Sequence, residues 1–309
     1  MNKVIVIAGP TASGKTALSL SLAERLNGEI VSADSMQIYR RMDIGTAKAS
    51  AAERARVPHH MIDIAEPDED YSVARYVNDA ARCCDDILER GKLPLIVGGT
   101  GLYIDSLLSG RSFGERDEDS SLRNSLNMKY DTIGGDAMLE ELRTFDPDRA
   151  ALLHSADRKR IIRAFEVYIL SGKTISQHDA ETRVLPSRYV ALFIIPGFRN
   201  RSALYSRIDI RVDDMLEFGL VNEVRKLLES GISSKCTAMQ AIGYKEIAEY
   251  LKGNISLDSA TETIKQSSRR YAKRQLTWFG RRTDALRLYR DESEDISVTA
   301  YNSAREFLS

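Results

Sequence analysis

The stretch Gly9–Thr16 reads G-P-T-A-S-G-K-T and follows directly on the apolar run K-V-I-V-I-A. It matches G-x-x-x-x-G-K-T in full, with a strand pattern before it and a helix pattern after it, the context in which that spacing has a mechanism. A loop built from Gly9, Pro10, Thr11, Ala12, Ser13 and Gly14 turns main-chain N–H groups and a helix N-terminus on one anion. Lys15 adds a point charge to a phosphate chain, and Thr16 offers a hydroxyl to Mg²⁺. Phosphate binding is therefore expected; whether the phosphate is transferred or discarded is not decided by the loop. A second S-G-K-T, Ser171–Thr174, lacks the upstream glycine, where Val167 stands, and has no strand before it. It reads as a helix end.

The companions of the loop are unusual. A nucleoside triphosphatase ends a further apolar strand on an acid that serves Mg²⁺. The natural candidate, L-P-L-I-V-G-G-T-G, ends instead on Gly98, Gly99 and Thr100, and the acid follows the second strand as Asp34 in E-I-V-S-A-D-S-M-Q-I-Y. Strand carboxyl ends in an open α/β sheet face the ligand crevice, so Asp34, Thr100 and the phosphate loop are expected to share one pocket. Asp34 there is a catalytic group or a helix N-cap, and Thr100 a substrate contact or a cap of the next helix; both pairs of readings stay open on spacing alone.

These residues need a scaffold, and the chain can supply one. It has 309 residues, 43% hydrophobic and 29% charged, enough for one large domain or two coupled ones. The runs K-V-I-V-I-A-G, E-I-V-S-A-D, L-P-L-I-V-G-G, Y-V-A-L-F-I-I-P-G and, more weakly, A-L-R-L-Y-R-D read as buried parallel strands. Helical patterns at Lys15–Leu26, Ser72–Arg90 and Gly101–Leu108 separate them, which predicts an α/β fold, a P-loop-type parallel sheet flanked by helices. Between Gly110 and Pro186 the alternation stops. The chain is first polar, R-S-F-G-E-R-D-E-D-S-S-L-R, and then helical in D-A-M-L-E-E-L-R-T-F, P-D-R-A-A-L-L-H and D-R-K-R-I-I-R-A-F-E-V-Y-I-L-S-G. Residues 111–186 are thus expected to form an inserted all-helical subdomain in a core made of 1–110 and 187–309. Helices ending on glycine follow at 200–219 and 220–231.

Net charge is −1, so a nucleic-acid partner needs local clustering of charge. Such clusters exist. Arg158–Arg163 groups Lys159, Arg160 and Arg163 around Ile161 and Ile162, and Lys265–Arg282 holds no acid while carrying Lys273, Arg274, Tyr271 and the sole tryptophan, Trp278, expected in the core. Cys83, Cys84 and Cys236 form no C-x-x-C pair, and His59–His60 is expected in a loop without metal. No apolar run is long enough to span a membrane and no leader pattern opens the chain, so a cytoplasmic protein is expected.

Together G-P-T-A-S-G-K-T, S-A-D-S-M-Q-I-Y-R-R-M-D-I-G-T-A-K, V-P-H-H-M-I-D-I, L-P-L-I-V-G-G-T-G-L-Y-I, R-A-F-E-V-Y-I-L-S-G-K-T, R-I-D-I-R-V-D-D-M-L, A-I-G-Y-K-E and R-R-Y-A-K-R-Q-L-T-W-F resemble the bacterial tRNA dimethylallyltransferases, in family order over nearly the whole chain. The zinc-finger tail of eukaryotic members is missing. The resemblance implies transfer of a dimethylallyl group from dimethylallyl diphosphate to the exocyclic amine of the adenosine 3′ of the anticodon, with Mg²⁺ as cofactor and pyrophosphate released. The loop then holds a leaving group. Arg207 and Arg211 are four residues apart, on one helix face, and the resemblance implies that they close on the diphosphate; the alternative is salt-bridging to Asp209, Asp213 or Asp214. It implies Asp34 as the general base and contacts to tRNA from Asp34, Ser35, Met36, Gln37, Thr100, Arg123, the Lys159–Arg163 run, Gln240, Gly243, Lys245, Lys273 and Arg274. Gln37 is in reach of an adenine edge on this reading. The implied partners are tRNA and dimethylallyl diphosphate, with no membrane and a monomeric enzyme. A small-molecule P-loop kinase, an adenine-nucleotide prenyltransferase and a non-enzymatic RNA-binding module are the rivals.

Overall fold

The computed structural model describes residues 2–110, 121–183, 186–292 and 295–309, and they divide into two compact units, Ser109–Ser187 and the remainder. In the larger unit the apolar runs become six parallel strands: β1 (Lys3–Ala8), β2 (Gly28–Ser32), β3 (His59–His60), β4 (Leu93–Gly98), β5 (Val190–Gly197) and β6 (Leu286–Tyr289), in the order β3-β2-β4-β1-β5-β6. Their near-continuous Val, Ile and Leu content suits strands covered on both faces. Ile5, Ile7, Leu22, Leu95 and Ile194 lie at the centre of one core cluster. The chain builds β2, β3 and β4 on one side of β1 and β5 and β6 on the other. The carboxyl end of β1 is therefore a switch point, where such sheets bind ligands.

Helices α1 (Lys15–Arg25), α2 (Ala51–Arg56), α3 (Val73–Glu89) and α4 (Gly101–Ser109) fall among the first strands. Ser50 and Ser72 cap α2 and α3, their hydroxyls accepting from the N–H groups of Glu53 and Arg75. His59 and His60 form the edge strand β3, where a loop was expected. Pairing with Ile30 and Val31 accounts for this, together with the contact of His60 Nε2 to Glu29 Oε2 at 2.7 Å. Glu29 is buried, and Arg90, Lys92 and His60 hold its carboxylate well below the usual range. Among the described residues no cluster of His, Cys, Asp or Glu is suited to a metal, and no helix is long and apolar enough to cross a membrane.

The smaller unit is helical: α5 (Ser121–Phe145, bent at Gly134), α6 (Pro147–Ala151), α7 (Arg158–Ser171) and α8 (Ile175–Arg183). Most of the expected polar stretch, residues 111–120, lies outside the described residues. The second S-G-K-T is indeed a helix end, with Gly172 left-handed (φ 69°) after α7. Ile161 and Ile162, expected to meet tRNA, are instead fully buried with Leu126, Met138, Leu142 and Phe165. They occupy the apolar stripe of an amphipathic helix, and that stripe packs inward.

The larger unit continues with α9 (Arg201–Glu217), α10 (Leu220–Glu229), α11 (Tyr244–Leu251), α12 (Leu257–Gly280) and α13 (Ile296–Leu308). Trp278 on α12 is 41% exposed rather than part of the core, and its Nε1 donates to Asp105 Oδ2 at 2.8 Å. A buried indole N–H needs a partner; here the partner is a surface carboxylate, which keeps the ring at the boundary.

Candidate active site

Main-chain geometry at the strand ends brings the functional residues together. Beyond β2 and β4 the two chains stay paired. Ala33 N–H donates to Val97 O (2.8 Å) and Thr100 N–H to Ala33 O (3.1 Å), which sets Asp34 and Thr100 side by side. The approach is so close that a Cβ on Gly98 would sit 2.1 Å from Ala33 O; no side chain fits there. The Thr100 hydroxyl accepts from Ser35 N–H at 3.1 Å, and Asp34 Oδ1 accepts from Met36 N–H at 2.9 Å. Asp34 therefore closes a local turn in a non-helical segment. It caps no helix, and among the described residues no hydrogen bond to Oδ2 occurs.

The phosphate loop leaves β1 next door. Gly14, left-handed at φ 88°, is the residue before α1, so the first N–H groups of the helix have no partner within it. Lys15 Nζ donates to Gly9 O (3.0 Å) and Pro10 O (2.6 Å). Burial and then the Arg211 charge lower its pKa to about 7, against an opposing pull from Asp34. Gly9 and Pro10 thus serve the loop from behind, and Ser13 is fully buried with no partner for its hydroxyl among the described residues.

Opposite the loop stands α9. Arg207 Nε donates to Ala12 O at 3.3 Å. Two of the three acids that could have neutralised the arginines are taken by α12: Asp213 pairs with Lys265 at 2.7 Å and Asp209 with Arg269; the third, Asp214, is exposed and makes no salt bridge to either arginine among the described residues. Arg207 and Arg211 are left facing the phosphate loop. Burial lowers the Arg211 pKa, with Asp34 the opposing charge; a guanidinium remains cationic under such a shift.

These elements enclose a cleft of about 450 Å³. Thr11, Ala12 and Gly14–Thr16 form one wall, Asp34–Gln37 a second, and Arg207 and Arg211 a third with the apolar Ile208, Val212 and Met215. Gln240 and Arg274 also line it. Lys245 and Lys273 are exposed and do not. Gly243 is left-handed at the start of α11 and also lies off the lining. The Gln37 amide is committed to the scaffold: Oε1 accepts from Ser32 Oγ (3.0 Å), and Nε2 donates to Thr46 O (3.2 Å) and Ala47 O (3.3 Å). It shapes the wall more than it reads a base. The adjoining segment is pinned by Glu223, whose carboxylate accepts from the N–H groups of Asp43, Ile44 and Gly45 and from the Tyr244 hydroxyl.

Two cleft residues had no site role from sequence: Tyr271, named only as an aromatic of the basic run, and Gln275, not named at all. Tyr271 lines the cleft beside Thr100, its hydroxyl pushed up to about 12 by burial and the Asp34 charge. Gln275, one turn on, is buried. The signal existed: Ile264, Ser268, Tyr271 and Gln275 are uncharged residues at i, i+4, i+7 and i+11 of a helix stretch that carries Lys265, Arg269, Arg270, Lys273 and Arg274, one face turned inward. The donor set also fits a magnesium ion that arrives on a diphosphate. Thr16 supplies one exposed hydroxyl to the cleft, an oxygen donor of the kind Mg²⁺ accepts beside phosphate oxygens and water.

In the smaller unit, Arg123 and Arg163 both reach the buried carboxylate of Glu166, at 2.7 and 2.6 Å. Lys159 and Arg160 are exposed; among the described residues Arg160 pairs only with Asp157, at 3.9 Å.

Residues 37–283 match the IPP transferase family model and residues 2–63 the isopentenyl transferase model. The chain is 48% identical to a tRNA dimethylallyltransferase of Acetivibrio thermocellus over 293 residues, covering 94% of this chain and 93% of the relative. It is 48% identical to one from Thermoanaerobacter sp. (strain X514) over 278 residues, 90% of this chain and 88% of the relative. Among solved structures it is similar to the tRNA isopentenylpyrophosphate transferase of Bacillus halodurans (42% identity, TM-score 0.72, 100% of this chain and 96% of that one). It is also similar to a eukaryotic dimethylallyltransferase acting on tRNA (31% identity, TM-score 0.85, 100% of this chain and 80% of that one).

Proposed function

The chain belongs to the IPP transferase family, and from that premise we propose that its cleft transfers the dimethylallyl group of dimethylallyl diphosphate to the exocyclic amine of the adenosine 3′ of the anticodon in tRNA. One observation supports this reading above others: Asp34 lies in the same cleft as Lys15 and Arg211, with no acid at the end of β4, where a nucleoside triphosphatase would place one.

The allylic C1–O bond breaks readily because the cation it leaves is delocalised. Negative charge then gathers on the diphosphate, and preorganised donors aimed at it are the largest catalytic factor. Lys15, Arg207, Arg211 and the first N–H groups of α1 are those donors. Thr16 would hold a Mg²⁺ ion, which would supply charge neutralisation to the leaving group when bound. The adenine amine is a poor nucleophile that becomes acidic only as the new C–N bond forms. Its proton passes to the Asp34 carboxylate, held in place by Met36 N–H. Tyr271 stays protonated beside Thr100. Ile208, Val212 and Met215 give the five-carbon group an apolar wall and keep water from the cation. The target base must leave its stack to reach Asp34. The enzyme acts as a monomer in the cytoplasm, where its RNA substrate is.

The test is incubation with dimethylallyl diphosphate, Mg²⁺ and unmodified tRNA, with nucleoside mass spectrometry. An adenosine heavier by one dimethylallyl group is expected, with no modification of AMP and no turnover of ATP. Modified AMP with unmodified tRNA would make the acceptor a free nucleotide, and ATP turnover would make the protein a kinase.

The RNA surface gives a separate prediction. Arg123 and Arg163 are held by Glu166, so the exposed Lys159 and Arg160 are the better probes. Lys159→Gln with Arg160→Gln weakens tRNA binding irrespective of sequence, since these cations meet phosphates. It flattens the log–log salt dependence by about 0.7–0.9 per lost contact, while pyrophosphate affinity stays unchanged. A salt series on wild type and double variant checks this; an unaltered slope would make the two cations a solvated face.

A further inference from the structure

Gln275 joins the two halves of the cleft. Its side-chain Oε1 accepts from Thr11 N–H at 2.9 Å, and its Nε2 donates to Gly99 O at 3.0 Å. The residue is 5% exposed. Thr11 belongs to the phosphate loop. Gly99 precedes Thr100, which stands beside Asp34 and holds Ser35 N–H. One amide thus bridges the loop that grips the leaving group and the loop that faces the acceptor.

The partners fix both the identity and the orientation of the side chain. Thr11 N–H can only donate and Gly99 C=O can only accept, so the amide has one satisfactory setting. Asparagine is a methylene too short. Glutamate keeps the acceptor for Thr11 and sets an oxygen against Gly99 O. Methionine leaves a buried donor and a buried acceptor unpaired, which is costly. The fit at Gly99 is tight, since a Cβ there would lie 2.1 Å from Gln275 Nε2. The contact transmits displacement because nothing soft lies between the groups.

The position along α12 matters as much as the bonds. Lys273 and Arg274 are exposed just before Gln275, and Tyr271 lines the cleft one turn earlier. Arg274 also lies against the Tyr271 ring, 5.5 Å from its centroid. On the reading that the exposed Lys273 and Arg274 meet RNA, the same helix touches the phosphate loop and the segment carrying Thr100 through Gln275.

We propose that Gln275 is a positioning residue that couples RNA binding to the diphosphate site: RNA docking on α12 sets Thr11 and Gly99 through this one amide and tightens the hold on the diphosphate. The proposal rests on the reading of the protein as a tRNA prenyltransferase. By linkage the effect is reciprocal, so a bound diphosphate tightens RNA binding by the same factor.

The test is a binding cycle. The affinity of inorganic pyrophosphate with Mg²⁺ is measured by calorimetry, with and without saturating unmodified tRNA, on wild type, Gln275→Glu and Gln275→Met. Thermal unfolding checks each variant; the near-isosteric Gln275→Glu carries the test if Gln275→Met does not fold. Wild type is expected to bind pyrophosphate about 5–150-fold more tightly with tRNA, the usual range of such couplings. In the variants the factor falls to within about twofold of unity, while tRNA affinity without pyrophosphate changes little. A residue that only packs would weaken both ligands and keep the factor. A wild-type coupling retained in the variants overturns the proposal, as does a wild type that turns over normally with no coupling. Absence of tRNA prenylation in wild type removes the functional reading and this proposal with it.

Discussion

Asp34→Asn leaves a folded protein that binds tRNA and pyrophosphate normally and turns over about 10²–10⁴-fold more slowly, the usual worth of a positioned general base. The substitution is nearly isosteric. Asparagine keeps an oxygen to accept from Met36 N–H, as Asp34 Oδ1 does at 2.9 Å, so the turn from β2 into the cleft is preserved. What disappears is an oxygen that can take a proton from nitrogen as the C–N bond forms. The loss falls on an interaction made mainly in the transition state, so it appears in the rate and barely in binding. Single-turnover rates with enzyme in excess, beside tRNA affinity by filter binding, separate the two. An unchanged rate would reduce Asp34 to a turn-forming residue and send the search for the base elsewhere.

Lys15→Ala costs about 10²–10³-fold in turnover, or about 3–4 kcal/mol, as expected when one preorganised donor to a developing anion is removed. The pH dependence is more diagnostic. With no ligand bound, burial and the neighbouring Arg211 bring the Lys15 pKa to about 7. A diphosphate restores the preference for the ammonium form, so above pH 7 its binding takes up a proton. Affinity then weakens as pH rises from about 7 toward the bound-state pKa, by at most tenfold per pH unit. In Lys15→Ala this dependence is lost. Stability runs the other way. The folded pKa lies below the unfolded value of 10.5, so the ligand-free fold is penalised fully below pH 7. That penalty is relieved as pH rises from 7 to 10.5. Pyrophosphate titrations at pH 8.5 in buffers of different ionisation enthalpy measure the proton uptake directly. A buffer-independent heat would mean that Lys15 is already charged before the ligand arrives.

The sheet and the phosphate loop were legible because local sequence determines them. A Val/Ile run, a turn whose Gly14 must be left-handed and a helix start within a few residues of one another. Asp34 could be placed because strand carboxyl ends share one edge of a parallel sheet. The failures share a different cause. Ile161 and Ile162 sit in a run that reads as basic, yet the helix period turns both toward Leu126 and Phe165. Arg123 and Arg163 look like free cations until Glu166, which is 43 residues from Arg123 in sequence, is brought between them. Gln275 bonds to a residue 264 positions away. No local pattern states such a pairing; only the outward and inward alternation along α12 hints that an uncharged glutamine among cations faces inward. The two-residue strand β3 is invisible for the same reason, since its existence depends on pairing with Ile30 and Val31.

The carboxylate shared by Arg123 and Arg163 changes what RNA capture means in the helical unit. A phosphate that reaches either guanidinium meets a cation already half-neutralised by Glu166, so binding there is an exchange of anionic partners. Less of its free energy comes from the release of small ions, and more from whether the incoming phosphate is offered at the angle the fixed guanidinium demands. Polyanions of the wrong shape gain little by such an exchange, since they give up a well-made internal pair for a poor external one. A surface built this way would discriminate by geometry among molecules that are all equally charged, in a protein whose own net charge of −1 supplies no bulk attraction for a polyanion.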